Sequence, residues 1–510
     1  MKLYLAGHTY KYAVEQMLMQ ILDSERPVFV DDKPPDTENH AVVTLSRDGS
    51  SVSARTRIRY DGKTFTGDAV NSRALTELSA AAAASAKSEA NASDDDRECQ
   101  RLIKLSFFRA ARKVTARELP WGATTGIRPS TLLTRMARSG VDIDTAERRL
   151  IKNYYISPER AALARDCAEA ELVARKTLES HDISLYIGIP FCPTRCAYCS
   201  FVSHSVEKSF KLLAPFIDAL KDEATALSGV VSDQGLRIVS VYIGGGTPTT
   251  LTADMLEDLL SHLESVFDLS SLREYTVEAG RSDTITRDKL AVLKSRGVTR
   301  VSVNPQTMSD EVLSLIGRHH TAADTLAAYN LTREMGFESI NMDLIAGLPG
   351  DTPDGFADTL RQVLALAPEN LTVHTLSLKR GTRVTLENTP IPDGAAVSEM
   401  LAHSLRELRG NDYRPYYLYR QKFTSGGFEN TGWGKPGFDS LYNIIMMDEL
   451  VPVLALGSGV SKLVVPQGHR PEGRIERIFN PKYPYEYIER RAEIANKQRH
   501  REFFERLFCR

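Results

Sequence analysis

The sequence predicts an α/β fold of six β/α repeats, preceded by an α+β and helical region and followed by an α+β cap. Three observations carry that expectation. From residue 183 onward, short apolar runs alternate with helix-patterned segments. The runs are continuously apolar, as parallel strands buried on both faces are. The unusual motifs all fall at the carboxyl ends of these runs, where such folds place their chemistry. A barrel and an open α/β sheet both satisfy the pattern.

Residues 1–78 read as a small α+β domain. "KLYLAG" has the texture of a strand, "KYAVEQMLMQIL" is helix-periodic, and "AVVTLSRDGSSVSARTRIRY" reads as a hairpin turning at Asp48-Gly49. Residues 79–96, "SAAAAASAKSEANASDDD", are small and polar with no apolar face, and read as a linker that is either a surface helix or a loose chain. Residues 97–180 are a helical connector, interrupted by "ELPWGATTGIRPS". That interruption, with Trp121, Gly122, Gly126 and Pro129, reads as a structured turn, with a substrate-facing lid as the alternative.

Residues 181–385 hold the repeats. The strand runs are "ISLYIGIP", "RIVSVYIGG", "REYTVEAG", "RVSVNPQ", "SINMDLIAGL" and "NLTVHTLSL", separated by segments such as "ADMLEDLLSHLESVF" and "TPDGFADTLRQVLALA". Residues 386–510 form the cap: an amphipathic helix, then the aromatic-rich "DYRPYYLYRQKF", "NTGWGKPGF" and "VPVLALGSGVSKLV". These aromatics read either as core or as a lid in which Tyr417, Tyr419, Trp433 and the loop Gly457-Ser458-Gly459 face a flat ligand, with Arg414, Arg420 and Lys435 meeting its carboxylates.

"FCPTRCAYCSF" places Cys192, Cys196 and Cys199 within eight residues of a chain that has only six cysteines. Three thiols so dense point to a metal centre. A structural zinc wants a fourth ligand. Cys99, Cys167 and Cys509 are scattered, and the spacing of His204 does not fit a zinc knuckle. Thiolates also suit iron–sulfur clusters, and three of them on a four-iron cube leave one iron open to a chelating ligand.

C-x3-C-x2-C with Tyr198 before the last cysteine, just after the first strand, resembles the signature of the radical S-adenosylmethionine (SAM) enzymes. The resemblance implies a partial (β/α)6 barrel, a 4Fe–4S cluster on Cys192, Cys196 and Cys199, and SAM bound to the open iron, whose reductive cleavage gives a radical that takes hydrogen from carbon. "YIGIPFC", "GGGTPT", "NPQ", "GRHHT" and "DLIAGLPG", in that order, are similar to the motifs of the oxygen-independent coproporphyrinogen III dehydrogenase family, in a long branch with an added N-terminal region. By position, Tyr186, Gly245, Gly246, Thr247, Glu278, Gln306, Arg318, Asp343 and Ile345 correspond to that family's cofactor contacts. The implied activity is oxidative decarboxylation of coproporphyrinogen III, with a tetrapyrrole as partner and flavodoxin or ferredoxin as electron donor. The resemblance identifies no catalytic residue beyond these contacts. Two residues after the third cysteine stands Phe201, where the family's dehydrogenases carry a further cysteine. Phenylalanine there resembles the haem-chaperone branch, so haem binding or trafficking, or another radical reaction on a tetrapyrrole such as methyl transfer, stands beside the dehydrogenase reading.

Composition excludes several classes. A net charge of -2 and a pI near 6.6 give no global basic field for nucleic acid. No apolar run approaches the ~18 residues of a membrane span, and the opening "MKLYLAGHTYKYAVEQ" lacks the apolar core of a signal peptide. Six cysteines in 510 residues do not make a disulfide framework, and a reducing cytoplasm is the expected setting.

Overall fold

The computed structural model describes residues 1–22, 25–48, 51–71, 89–115, 119–199, 204–377, 379, 381–420, 427–467 and 470–508. Gly49 of the expected hairpin turn, positions 79–88 of the expected linker, Phe201 and Cys509 lie outside these. Tertiary contacts divide the chain into two compact units, Met1–Arg165 and Asp166–Arg510.

In the first unit, strands β1 (Lys2–Ala6), β2 (Val28–Val30), β3 (His40–Asp48), β4 (Ser51–Tyr60) and β5 (Lys63–Val70) form one sheet in the order β2-β1-β3-β4-β5. β1 runs parallel to both neighbours, whereas β3, β4 and β5 are antiparallel. The strand chemistry fixes which face is buried. Along β4, Val52, Ala54, Thr56 and Ile58 are buried while Arg55 between them is exposed, the period of a half-buried strand. The buried face packs with helices α1 (Lys11–Ile21) and α2 (Glu89–Ala111) through Leu3, Met17, Leu18, Ile58, Ile103 and Phe107. The "LPWGATT" stretch is a turn with Trp121 buried in it, followed by α3 (Ser130–Arg138) and α4 (Ile143–Tyr154).

The second unit is built on an 11-stranded sheet. Its centre is the six expected strands: β6 (Asp182–Ile189), β9 (Arg237–Gly245), β10 (Glu274–Val277), β11 (Arg300–Ser302), β12 (Ser339–Ala346) and β13 (Asn370–Thr375). They lie side by side in sequence order and all run parallel. Between β6 and β9 the chain makes the two-residue pair β7 (Phe191–Cys192) and β8 (His204–Ser205), then helix α5 (Leu213–Asp233). The remaining crossovers carry α6 (Ala253–Val266), α7 (Arg287–Ser295), α8 (Asp310–Leu315), α9 (Ala322–Glu334) and α10 (Pro353–Leu366). All five begin on a hydroxyl cap, Thr252, Thr286, Ser309, Thr321 and Thr352, each accepting a backbone N–H of the first turn.

The residues expected to form a cap contribute their strands to this same sheet. After α11 (Gly394–Gly410), β14 (Arg414–Arg420) and β15 (Glu429–Gly434) extend it antiparallel beyond β13. At the other edge, after α12 (Leu441–Asp448), β16 (Val453–Gly457) pairs parallel with β6 as a seventh parallel strand, followed by the hairpin β17 (Val460–Gln467) and β18 (Arg470–Phe479). Among the described residues no pairing joins β14 to β18, so the strand ladder stays open, as in a partial barrel. Gly457-Ser458-Gly459 does not stand clear as a lid: the Ser458 N–H donates to the Gly188 carbonyl of β6 at 3.0 Å. Trp433 and Tyr417 are core residues, 2% and 6% exposed. Among the described residues no helix is long and apolar enough to cross a membrane.

Candidate active site

The carboxyl ends of β6, β9, β10, β11 and β12 converge on the cysteine loop. β6 runs straight into it: Ile189 ends the strand, and Phe191–Cys192 follow as β7. β9 ends at Gly244-Gly245, and the following Gly246-Thr247 continues along that segment. The Gly246 N–H donates to the Ile189 carbonyl at 2.7 Å and the Thr247 N–H to the Phe191 carbonyl at 2.7 Å. Gly246 permits this approach, because a Cβ there would sit 2.4 Å from the Phe191 carbonyl oxygen. The Thr247 hydroxyl donates to Cys192 Sγ at 3.5 Å. In this structure, then, the glycine motif places the first cysteine.

Beneath the motif lies a stack of tyrosines. Tyr186 of β6 and Tyr242 of β9 are paired in register, and Tyr442 of α12 stacks on Tyr242 with ring centroids 4.3 Å apart. The Tyr242 hydroxyl donates to Glu278 Oε1, just past the end of β10. Desolvation pushes the half-buried Glu278 carboxyl up to about 7, against the hydrogen bonds it accepts. Sequence reasoning missed Tyr242 and Tyr442. The signal for Tyr242 was present, since "LYIG" of β6 and "VYIG" of β9 repeat the same tyrosine at the same register.

"NPQ" after β11 organises the far side. Asn304 Oδ1 accepts the Asp343 N–H at 3.2 Å, and the Asn304 carbonyl accepts from Arg318 Nη1 at 2.5 Å. Gln306 lies at φ 68° and is bridged to β12: its N–H donates to the Asp343 carbonyl, and its carbonyl accepts the Ile345 N–H. A left-handed, β-bridged glutamine is a strained backbone held by its surroundings. Its side chain is buried with Oε1 unpartnered, and Arg318, also buried, has Nε unpartnered. The carboxyl of Asp343 is held below the usual range. Burial opposes ionisation, but His374, with Nε2 3.7 Å from Oδ2, and hydrogen bonds from Asn341 and Thr372 outweigh it. Ile345 packs its side chain with Val312, Leu313, Ile316 and Tyr198.

The cysteine loop is tied down on both flanks. The Ala197 N–H donates to the Ile316 carbonyl at 2.9 Å, and the Val384 N–H to the Ala197 carbonyl at 3.2 Å. Arg318 Nη2 donates to the Tyr198 hydroxyl at 3.4 Å, and Arg281 Nη1 approaches Cys196 Sγ at 3.8 Å. Burial works against the charge on Arg318, but Tyr198 and Cys196 beside it hold the guanidinium firmly protonated. His320 is buried between these arginines and pushed down to about 4, first by burial and then by their charge, so it is neutral.

Cys192, Cys196 and Cys199 are all half-buried. Among the described residues no three His, Cys, Asp or Glu side chains are grouped closely enough to hold one metal ion. Three thiols within one eight-residue stretch, with two guanidinium groups close to Cys196, suit the larger anionic body of an iron–sulfur cluster. The unpartnered acceptor on Gln306 and donor on Arg318 are what the ammonium and carboxylate of an amino-acid moiety would satisfy.

The Radical SAM superfamily model matches residues 186–363. The oxygen-independent coproporphyrinogen-III oxidase-like protein HemZ of Bacillus subtilis is 38% identical over 393 residues, 76% of this chain and 77% of that protein. The chain belongs to the oxygen-independent coproporphyrinogen III oxidase family of radical SAM proteins. Its cofactors are accordingly a 4Fe–4S cluster and SAM. Within that family, the haem chaperone HemW of Haemophilus influenzae is 29% identical over 64% of this chain and 82% of the relative. The oxygen-independent coproporphyrinogen III oxidase of Pseudomonas aeruginosa is 31% identical, over 46% of this chain and 51% of that enzyme. Among solved structures, the coproporphyrinogen III oxidase HemN of Escherichia coli, described as a radical SAM enzyme, superposes with a TM-score of 0.50 at 24% identity. It covers 65% of this chain and 73% of its own, and supports the fold.

Proposed function

We propose that the protein is a radical SAM oxidoreductase that converts two propionates of coproporphyrinogen III to vinyl groups, giving protoporphyrinogen IX. Each propionate gives up a hydrogen atom, which the nucleoside released from SAM takes up as the C–H bond breaks, and then carbon dioxide as the C–C bond breaks, with the one remaining electron passing to a one-electron acceptor. Support for the reaction comes from the likeness to HemZ, which spans three quarters of both chains. Support for the cofactor site comes from one observation above the others: the buried, unpartnered Gln306 Oε1 and Arg318 Nε beside the cysteine loop.

Cys192, Cys196 and Cys199 would hold the cluster, leaving one iron for SAM. Hydrogen-atom abstraction from carbon is the chemistry that this pair supplies when bound. Around it, Gly245, Gly246 and Thr247 would present backbone to the SAM amino group, and Arg318 would take its carboxylate. Asp343, kept ionised by His374, would accept from the ribose, with Glu278 facing ribose or ammonium. Tyr186 and Ile345 would flank the nucleoside. A flavodoxin or ferredoxin would donate the electron.

A second reading, haem binding in the manner of the family's chaperones, is favoured by Phe201 at the position of the dehydrogenases' further cysteine and by the HemW match. Anaerobic incubation of the reconstituted protein with dithionite, SAM and coproporphyrinogen III separates the two. The expected product has lost two carboxyl groups by mass spectrometry. If 5′-deoxyadenosine accumulates with no vinyl product, the oxidoreductase reading fails; one haem bound per chain without turnover establishes the chaperone.

A further inference from the structure

Arg281 is 3% exposed and points at the cysteine loop. Backbone geometry sends it there. Past β10 the chain turns through Ala279-Gly280-Arg281, with Gly280 at φ 47° and its N–H donating to the Ser302 carbonyl at 2.9 Å. An L side chain at Gly280 would be strained in that conformation. The turn reverses the chain toward the cysteines, and the Arg281 guanidinium is then locked as a fork. Nε donates to Asp283 Oδ1 at 3.0 Å and Nη2 to Asp283 Oδ2 at 2.7 Å, a two-point carboxylate pair. The remaining arm, Nη1, donates to the Thr194 hydroxyl at 3.1 Å and reaches Cys196 Sγ at 3.8 Å. A buried arginine held at two points by a carboxylate has its third direction fixed, and that direction is Thr194, whose carbonyl is also 3.5 Å from Nη1, together with the middle cysteine of the motif.

We infer that Arg281, oriented by Asp283, is a positioning residue that donates a directed hydrogen bond to the Cys196 thiolate and thereby sets the reduction potential of the cluster. The inference rests on the reading of Cys196 as an iron ligand. Reduction adds negative charge to the cluster, and hydrogen bonds and positive charge at a ligating sulfur favour the reduced form. Losing this contact therefore moves the midpoint potential in the negative direction, making the cluster harder for its donor to reduce.

The test is an anaerobic redox titration of the reconstituted 4Fe–4S protein, followed by electron paramagnetic resonance, with iron and sulfide counted per chain. Arg281→Gln removes the charge, whereas Arg281→Lys keeps a charge but loses the planar fork. The expected order of potentials is wild type highest, Arg281→Lys between, and Arg281→Gln most negative, at equal iron content. Wild-type potentials in both variants overturn the inference. If Arg281→Gln holds no iron, Arg281→Lys decides alone: a lowered potential supports the inference, and a wild-type potential makes Arg281 only a strap for the loop. If the wild type itself holds no four-iron cluster, it is the ligand reading that fails.

Discussion

Gly246→Ala tests whether the glycine motif places the first cysteine. The added Cβ would lie 2.4 Å from the Phe191 carbonyl oxygen and 2.8 Å from that of Ile189, where ordinary contact begins at 3.4 Å. Both obstacles are backbone, so no side chain can swing aside. Forcing a methyl group into such a gap costs about 1–3 kcal/mol. Moving the strand end away instead weakens the Gly246 and Thr247 hydrogen bonds to the same segment, each worth about 0.5–1.5 kcal/mol. Either way the destabilisation is about 1–3 kcal/mol, which in a unit of this size lowers Tm by about 1–4 °C. Differential scanning calorimetry of the anaerobic apoprotein reads the first effect. Iron retained after desalting reads the second, because the displaced segment carries Cys192 and its Thr247 contact. Gly410→Ala, where a Cβ meets nothing within 4 Å, is the comparison and leaves both values unchanged. A Gly246→Ala protein melting within about 1 °C of wild type and holding its full iron would refute the assignment.

Two further outcomes follow from buried groups of the same unit. Glu223 on α5 is fully buried, accepts from the Gly457 N–H at 2.8 Å, Asn480 at 2.7 Å and Tyr487 at 2.5 Å, and is pushed up to about 7 by desolvation. Between the unfolded value near 4.5 and about 7 the folded chain keeps a proton that the unfolded chain releases. Its stabilising contribution is thus complete below pH 4.5 and is lost as pH rises through 7. The loss totals about 3 kcal/mol; urea denaturation at pH 5 and pH 8 should show it for wild type and not for Glu223→Gln, and parallel behaviour of the two would refute it. Gln306→Gly removes a left-handed glutamine worth about 1–2 kcal/mol of strain, so the apoprotein should lose no stability by calorimetry. SAM affinity by equilibrium dialysis should nevertheless fall about tenfold, the loss of one hydrogen bond of about 1.4 kcal/mol.

The six central strands were legible because buried parallel strands leave unbroken apolar runs such as "RIVSVYIGG", and the site motifs because they interrupt those runs at one end. "VPVLALG" carries the same signal, but nothing local says that it crosses the chain to lie beside β6. Pairing partners between distant segments are a tertiary choice that periodicity does not encode. The aromatics of β14 and β15 are ambiguous for a similar reason: a buried tyrosine and a ligand-facing one have the same composition, and only the sheet shows Tyr417 and Trp433 in the core. Arg281 and Asp283 stood in plain view after "VEAG", yet their significance depends on a turn at Gly280 and a contact to a cysteine 85 residues away in sequence. Asn304 was hidden inside a motif read for its glutamine.

On the proposed reading, three thiolates of one loop hold a cluster whose remaining iron is kept for SAM. Electron paramagnetic resonance of the dithionite-reduced protein, recorded with and without SAM, tests this most directly. A four-iron signal that changes shape and g-values when SAM is added is the expected result, with no such signal from Cys196→Ala. A wild-type signal that SAM leaves unaltered would contradict the claim.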